Sequence, residues 1–301
     1  MAFLQRIMKN ISQVVLLDNW ISGLLILIAL FVADYKVGIV ALISSVLATL
    51  LGRYMGHSKD EVETGLVGFN AVLTGIALTV NLEPSIRTYL FILMAVLLTL
   101  PVGVAVRELL KPLQIPNLTM PYVFITWMFL FMSFQYQFVN ADVSILPNKV
   151  SEIDFSQQPI DILMAFLNGF SEIFLVKNAI AGLLILIAIF AASRKAGIFV
   201  IVGNLLGMML VSLFGANHDQ INTGLYSYNI VLVVIALGVT FKHHMNVYLS
   251  MVLGIFMTTA LHAGFVTFLT PFGLPVLTFS FVIVTWIMLL AGKNKKDNIT
   301  T

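Results

Sequence analysis

Charged residues divide the chain into long uncharged, apolar stretches. These stretches cover residues 19–33, 37–52, 64–82, 88–106 and 112–141 in the first half, and 178–193, 196–217, 220–241 and 245–292 in the second. Pro271, Phe272 and Gly273 predict a break that divides the last stretch in two. Because a membrane-spanning helix needs about 20 apolar residues, this pattern predicts an all-α integral membrane protein with ten transmembrane helices.

The second half of the chain repeats the first at a constant spacing. Residues 12–31 read SQVVLLDNWISGLLILIALF, and residues 171–190 read SEIFLVKNAIAGLLILIAIF. The offset, from Asn19 to Asn178, is 178 − 19 = 159 residues. The same offset pairs Gly65 with Gly224, Asn70 with Asn229, Pro112 with Pro271, Pro116 with Pro275, Thr119 with Thr278 and Trp127 with Trp286. One unit of roughly 130 residues is therefore used twice.

The number of spans in each unit determines how the two units are oriented. A unit that crosses the membrane five times ends on the side opposite to its start, so two five-span units form inverted repeats. If the N-terminus is inside, twelve of the lysines and arginines lie inside and four lie outside, namely Lys36, Arg87, Lys149 and Lys177. Since cytoplasmic loops carry an excess of basic residues, we predict that both termini are cytoplasmic.

The first span of each unit is too short to cross a membrane alone. Only 15 uncharged residues separate Asp18 from Asp34, and 16 separate Lys177 from Arg194. A further apolar piece precedes each, and short segments at matching places in inverted halves point to a transport site. We therefore predict two half-membrane re-entrant pore helices, at about 8–17 and 166–176. The predicted organisation is a first inverted repeat at 1–135, a polar extracytoplasmic linker at 136–165, a second inverted repeat at 166–292 and a cytoplasmic tail at 293–301.

Composition agrees with a lipid environment and excludes several classes of function. Hydrophobic residues make up 59% of the chain and charged residues 10%, with a mean hydropathy of +1.01, whereas a soluble domain has about 25% charged residues. A net charge of +2 is too small to indicate a nucleic-acid partner, and the absence of cysteine excludes disulfides and thiolate metal sites. With no catalytic or nucleotide motif, we expect no enzyme, cofactor or metal. The apolar N-terminal run could imitate a signal peptide, but its return at 171–190 assigns it to the mature fold.

Polar residues inside apolar stretches are candidates for a transport path. Gln13 and Glu172 are repeat partners at the heads of the predicted re-entrant helices, and an intramembrane carboxylate is by default a functional candidate. The alternative is a carboxylate at the membrane surface that accepts hydrogen bonds from helix-terminal amides. Thr119 and Thr278 each follow a proline by three residues, so their hydroxyls could line a pore or bond to a carbonyl oxygen that the proline frees.

Other polar and aromatic residues have mainly structural interpretations. We expect the amides of Asn70 and Asn229 to satisfy local backbone groups. Phe69 and Tyr228, which precede them, fit a core and a path equally well. The five histidines lack metal-ligand spacing, and most lie at span ends, where we predict them to be solvated. His262 lies within a span and has no interpretation from the sequence.

The matched segments resemble those of the urea transporter family. They are GLLILIALF and GLLILIAIF, GLVGFN and GLYSYN, and IPNLT and LPVLT, and the resemblance runs from about residue 10 to residue 290. It implies a homotrimer among membrane lipids, in which each protomer passes urea between its two halves. Backbone carbonyls of the pore helices would accept hydrogen bonds from urea, and apolar side chains would form narrow flat slots.

The resemblance also implies which residues lie along the path. Gln13 and Glu172 would head the two carbonyl ladders. The slots would be formed by Leu16, Leu175, Phe69 and Tyr228, and the central constriction would be lined by Val14, Leu73, Thr119, Ile173, Leu232 and Thr278. Leu16 and Leu175 stand where the family often has aromatic residues, and Ser280 stands where its repeat partner is Pro121.

Three functions are compatible with these patterns. The first is passive, channel-like diffusion of urea across a bacterial inner membrane, a location that the compact chain with short tails suggests. The second is a proton-coupled or pH-gated transporter of urea or another small amide, because Glu172 could carry a proton. The third is an intramembrane enzyme, for which the chain offers no catalytic constellation.

Overall fold

The described part of the protein is helical, with no strand. The structure is a computed structural model that describes residues 2–142, 147, 149 and 158–293. Within those ranges the extended pairing is limited to a single bridge between Leu82 and Ala141. The predicted all-α class is therefore confirmed. The centre of the linker predicted at 136–165, and all but the first residue of the tail predicted at 293–301, lie outside the described residues.

The α-helices fall into two sets that correspond at the offset of 159 residues. The first set is α1 Ala2–Ser12, α2 Trp20–Ala33, α3 Tyr35–Leu51, α4 Lys59–Thr64, α5 Phe69–Asn81, α6 Ile86–Leu110 and α7 Met120–Gln135. The second set is α8 Ile162–Ser171, α9 Ala179–Ala192, α10 Arg194–Leu213, α11 His218–Asn222, α12 Ser227–Ile235, α13 Val247–Leu269 and α14 Phe279–Ala291. Short 3-10 turns follow α1, α6, α8 and α13 at Gln13–Val15, Lys111–Leu113, Glu172–Phe174 and Thr270–Phe272, and a π-helical turn, Ala236–Thr240, follows α12.

Side-chain caps explain where several of these helices begin. The Asn19 side chain accepts hydrogen bonds from two backbone N–H groups in the first turn of α2, and Asn178 accepts one in the first turn of α9. One residue separates α2 from α3 and α9 from α10, and that residue, Asp34 or Ser193, caps the next helix. The repeated sequence therefore repeats its helix starts as well.

Helix length yields fewer complete spans than the ten predicted. By length and composition, three helical stretches in the described chain could cross a membrane: Ile86–Leu113, Arg194–Leu213 and Val247–Phe272. The number rises to five if each of two bent pairs is one span: Ala2–Val15 with Trp20–Ala33, bent by 77°, and Ile162–Phe174 with Ala179–Ala192, bent by 74°. Five further apolar helices are 10–17 residues long. The protein thus has several apolar helices compatible with a membrane protein, and ten spans remain a prediction.

The segments predicted as re-entrant helices begin earlier than expected. Helical residues cover Ala2–Val15 and Ile162–Phe174, against predictions of about 8–17 and 166–176. α1 contains Arg6 and Lys9, and these pair with Glu63 at 3.6 Å and with Asp18 at 2.8 Å. We call Ala2–Ala33 the first hairpin and Ile162–Ala192 the second hairpin.

The core lies where the two hairpins meet. α2 and α9 pack against each other, and the largest cluster of buried apolar residues takes members from both halves. Within each hairpin, a glycine allows backbone contact between the two helices. A Cβ added at Gly23 would lie 1.8 Å from the carbonyl oxygen of Met8, and one added at Gly182 would lie 2.0 Å from that of Leu167.

Candidate functional site

Each hairpin bends at a short break that begins with a leucine of positive φ. Leu16 has φ 60° and Leu175 has φ 57°, in the left-handed region that non-glycine residues seldom adopt. The Leu16 N–H donates to the carbonyl oxygen of Gln13 at 2.9 Å, and the Leu175 N–H donates to that of Glu172 at 3.0 Å. These bonds close the turns, so the residues at each tip are held at fixed positions.

Gln13 and Glu172 are both buried at these tips, with 8% and 5% of their surface exposed. The Gln13 amide donates from Nε2 to the carbonyl oxygen of Thr64 at 2.9 Å. The Glu172 Oε2 atom is buried and finds no hydrogen-bond partner among the described residues. The Glu172 side chain therefore lies inside the protein, and its position relative to the membrane surface stays a prediction.

The two threonines predicted at the constriction contact each other directly. Thr119 Oγ1 and Thr278 Oγ1 lie 2.6 Å apart, and both side chains are buried. Each residue precedes a helix, α7 or α14, and each follows a leucine with a positive φ, 48° at Leu118 and 52° at Leu277. Among the described hydrogen bonds, neither hydroxyl donates to a carbonyl oxygen. The contact joins two positions separated by the repeat offset of 159 residues.

Two asparagines hold the backbone just before α7 and α14. Asn70 Nδ2 donates to the carbonyl oxygen of Leu118 at 3.1 Å, and its Oδ1 accepts from the N–H of Tyr122 at 3.2 Å. Asn229 makes the corresponding two bonds in the second half, at 3.1 Å and 3.2 Å. These amides satisfy backbone groups as expected, but the groups lie 48 and 52 residues away in sequence instead of being local. The bonds fix the segments that carry the two threonines.

Two tryptophans tie the halves together reciprocally. The Trp127 indole N–H donates to the carbonyl oxygen of Pro275, and the Trp286 indole N–H donates to that of Pro116, each at 2.8 Å. The repeat offset pairs Trp127 with Trp286 and Pro116 with Pro275, but the sequence predicted no role for these residues. Their contact was not predictable from the repeat alone, because the repeat pairs Trp127 with Trp286 and not with Pro275.

The apolar residues predicted along the path lie in the same core. Six of them are members of the largest buried cluster and two pack against it: Val14, Phe69, Leu73, Ile173, Tyr228 and Leu232, with Leu16 and Leu175. The two threonines lie within the protein as well, whereas Gln13 bonds to Thr64 rather than to another predicted site residue. The predicted apolar residues thus belong to, or pack against, one buried cluster, and the two threonines are buried as well.

One histidine at a span end is not solvated as predicted. His57 is 5% exposed, and its Nε2 lies 3.0 Å from the carbonyl oxygen of Leu100. Its Nδ1 lies 3.4 Å from Glu61, which Arg107 also contacts. Burial raises the pKa of Glu61, but hydrogen bonds from His57, the backbone N–H of Ser58 and Arg107 outweigh it and lower the pKa to about 2. This group therefore anchors the surface helix α4.

Comparisons with known proteins agree with the resemblance of the repeated segments. A sequence model of the family described as "UT: Urea transporter" matches residues 4–293. "Urea transporter 1" of Mus musculus is 28% identical over 307 residues, which cover 99% of this chain and 79% of that protein. The protein of the same name from Ovis aries is 28% identical over 310 residues with the same coverage, and that from Rattus norvegicus is 27% identical over 298 residues, covering 96% and 77%. The chain therefore belongs to the urea transporter family.

Proposed function

We propose that this protein is a passive, channel-like permease for urea, with a path between its two repeats. Family membership supports urea as the solute, since the matched relatives are named urea transporters. Members of the family are transporters and not enzymes, which excludes the intramembrane enzyme. The observation that carries the path is the pair of buried hydroxyls, Thr119 and Thr278, one from each half and 2.6 Å apart.

The hydroxyl pair suits a neutral solute that both donates and accepts hydrogen bonds. In the mutual bond one hydroxyl donates and the other accepts, so one hydroxyl hydrogen and several lone pairs stay available. Urea can offer its N–H groups to the lone pairs and its carbonyl oxygen to the hydrogen. The apolar walls around the pair would strip the water from an ion without replacing it, so charged solutes are excluded.

The architecture of the proposal is ten spans with two re-entrant helices in two inverted repeats. Reciprocal contacts support a two-fold relation: Trp127 donates to Pro275, and Trp286 donates to Pro116. Such an exchange of partners is what a two-fold axis produces. The bends of 77° and 74° within the two hairpins fit helices that enter a membrane and turn back. The repeats are proposed at 1–135 and 166–292, with a linker at 136–165 and a tail at 293–301.

The path is proposed to follow the residues that the family resemblance implies. They are Gln13, Val14, Leu16, Phe69, Leu73, Thr119, Glu172, Ile173, Leu175, Tyr228, Leu232 and Thr278. The burial of Gln13 and Glu172 at the hairpin tips supports their place at the heads of the two carbonyl ladders. A homotrimer in a bacterial inner membrane, with both termini cytoplasmic, completes the proposal, and the distribution of lysine and arginine supports that orientation.

Stopped-flow light scattering on proteoliposomes tests the function. We expect urea flux well above that of empty liposomes and unchanged by an imposed pH gradient or membrane potential. Flux equal to that of empty liposomes would refute urea transport. Passage of acetamide without urea would retain the architecture and change the solute.

One observation favours a second candidate, a proton-coupled or pH-gated transporter. The Glu172 carboxylate is buried, and its Oε2 atom has no hydrogen-bond partner among the described residues. If that carboxylate carries a proton during transport, Glu172→Gln abolishes the response to a pH gradient. In the passive channel Glu172→Gln conducts urea in the presence and absence of the gradient alike, because glutamine keeps a carbonyl acceptor in place.

A further inference from the structure

The two halves differ chemically at one place beside the proposed path. At the repeat offset, four first-half residues without hydrogen-bonding side-chain groups correspond to polar residues in the second half: Val67 to Tyr226, Phe69 to Tyr228, Gly103 to His262 and Pro121 to Ser280. His262 contacts the other three polar residues. Its ring centroid lies 5.5 Å and 5.8 Å from those of the two tyrosines, and its Nδ1 lies 3.4 Å from the serine hydroxyl. We call Tyr226, Tyr228, His262 and Ser280 the His262 cluster.

Backbone groups determine which nitrogen of His262 carries the hydrogen. Asn229 Oδ1 accepts from the N–H of Phe281 at 3.2 Å, and Asn229 Nδ2 donates to the carbonyl oxygen of Leu277 at 3.1 Å. The same Nδ2 lies 3.1 Å from His262 Nδ1. Because an amide nitrogen only donates, Nδ1 accepts, and the neutral ring carries its hydrogen on Nε2.

His262 thus supplies one acceptor and buries one donor. The side chain is fully buried, and Nε2 has no hydrogen-bond partner among the described residues. An unpaired buried donor destabilises a protein, so stability alone does not explain a histidine at this position. The useful part of the ring is the acceptor that faces Asn229, together with the face and edge that meet the tyrosines.

The His262 cluster holds the aromatic ring proposed as a slot wall. The Tyr228 hydroxyl donates to the carbonyl oxygen of Leu277, and its ring stands at 89° to the ring of His262. Leu277 directly precedes Thr278, so the same group of bonds extends to the proposed constriction. Phe69, at the matching position, has no hydroxyl. Residue 103 is glycine, and the His57 ring that packs against it has its Nε2 atom 3.0 Å from the carbonyl oxygen of Leu100 instead of facing Asn70.

We propose that His262 is a positioning residue that determines solute selectivity at the second slot. By accepting from Asn229 and packing edge-on against Tyr228, it fixes the ring so that flat urea passes and methylated ureas are slowed. The inference rests on the proposed function, because the slot selects a solute only if urea passes there.

Permeability ratios in proteoliposomes test this role. We would measure urea, N-methylurea and 1,3-dimethylurea fluxes for wild type, His262→Phe, which keeps a ring but removes the acceptor, and His262→Asn, which keeps an acceptor near Nδ1. We expect His262→Phe to raise the N-methylurea to urea ratio about fivefold, the fold-change that corresponds to one lost neutral hydrogen bond. His262→Asn restores the ratio toward wild type. Thr285→Val, at a buried residue of α14 outside the cluster whose hydroxyl has no partner among the described residues, is the control and leaves the ratio unchanged.

Tyr228→Phe separates a positioning role from a general loss of structure. It removes the hydroxyl and retains the ring, so it should shift the ratio in the same direction even if His262→Phe fails to fold. In the double variant the two effects should not add, because His262 acts through Tyr228. Unchanged ratios in both single variants, or fully additive effects, would overturn the inference while wild-type urea flux persists. Absence of urea flux in wild type would instead overturn the proposed function.

Discussion

The sharpest test of the proposed path is the removal of its hydroxyl pair. Thr278→Val replaces a hydroxyl by a methyl group of similar size, and the side chain is buried, so packing changes little. The substitution breaks the 2.6 Å contact with Thr119 and leaves one hydroxyl at the constriction. That remaining hydroxyl still offers a hydrogen and lone pairs to a passing solute.

The magnitude follows from counting hydrogen bonds. In Thr278→Val, urea loses one neutral hydrogen bond at the constriction, about 1 kcal/mol, which corresponds to flux about fivefold slower. In the double variant with Thr119→Val, no hydroxyl is left, and urea crosses an apolar ring with polar atoms unpaired. That cost is about 2 kcal/mol, or flux roughly 30-fold slower.

The chain provides a matched control for the same substitution. Thr126 and Thr285 lie on α7 and α14, are fully buried and are related by the repeat offset, and the hydroxyl of each has no partner among the described residues. Their valine variants should conduct urea as wild type does and unfold at the same or a higher temperature, because no hydrogen bond is lost. Stopped-flow urea flux at matched reconstitution is the assay. Wild-type flux in the double variant Thr119→Val/Thr278→Val, or equal slowing in the Thr285→Val control, would refute the reasoning.

Three further predictions concern stability, each measured as the unfolding temperature in detergent. Gly182→Ala places a Cβ 2.0 Å from a carbonyl oxygen of α8 and should cost about 3 kcal/mol or more, whereas Gly264→Ala meets no heavy atom within 4 Å and should not destabilise. Because the pKa of Glu61 is lowered to about 2, the stabilisation by its carboxylate is present above about pH 4.5 and is lost as pH falls toward 2. Glu61→Gln should lower the free energy of unfolding by about 1–3 kcal/mol at pH 6 and flatten this acid dependence. An unaltered dependence would contradict the assignment. Trp286→Phe removes the indole bond to Pro116 and should cost about 1 kcal/mol, and a wild-type melting temperature would show that the tie between halves is dispensable.

Local features of the fold were predictable because local sequence determines them. The asparagine before α2 recurs before α9, and both cap the helix that follows. The sequence repeat therefore corresponds to a repeat of local structure. The start of α1 was not predictable from charge. Arg6 and Lys9 look like a boundary, but each finds a carboxylate partner, and the helix continues through them.

The contacts between the halves depend on how the two halves are oriented relative to each other, which the sequence repeat alone does not specify. A repeat states that Thr119 and Thr278 occupy equivalent places, but equivalent residues touch only if both lie close to the axis that relates the halves. In the proposed two-fold arrangement, the 2.6 Å contact corresponds to a position of both threonines near the axis. Trp127 and Trp286 do not meet each other; each donates to the proline carbonyl of the other half, as expected for residues away from the proposed axis.

The sequence repeat could not predict the His262 cluster, because a repeat predicts only the features that its two copies share. His262 corresponds to Gly103, so the sequence of the first half does not predict a ring at that position, although the His57 ring packs against Gly103. The asymmetry is nevertheless compatible with a symmetric path. In the proposed path urea passes both slots in series. Because resistances in series add, the slot that slows a methylated solute more would determine its rate through that path. One slot with a fixed ring is therefore enough for selectivity, and Phe69 at the other slot needs no equivalent of the Tyr228 hydroxyl.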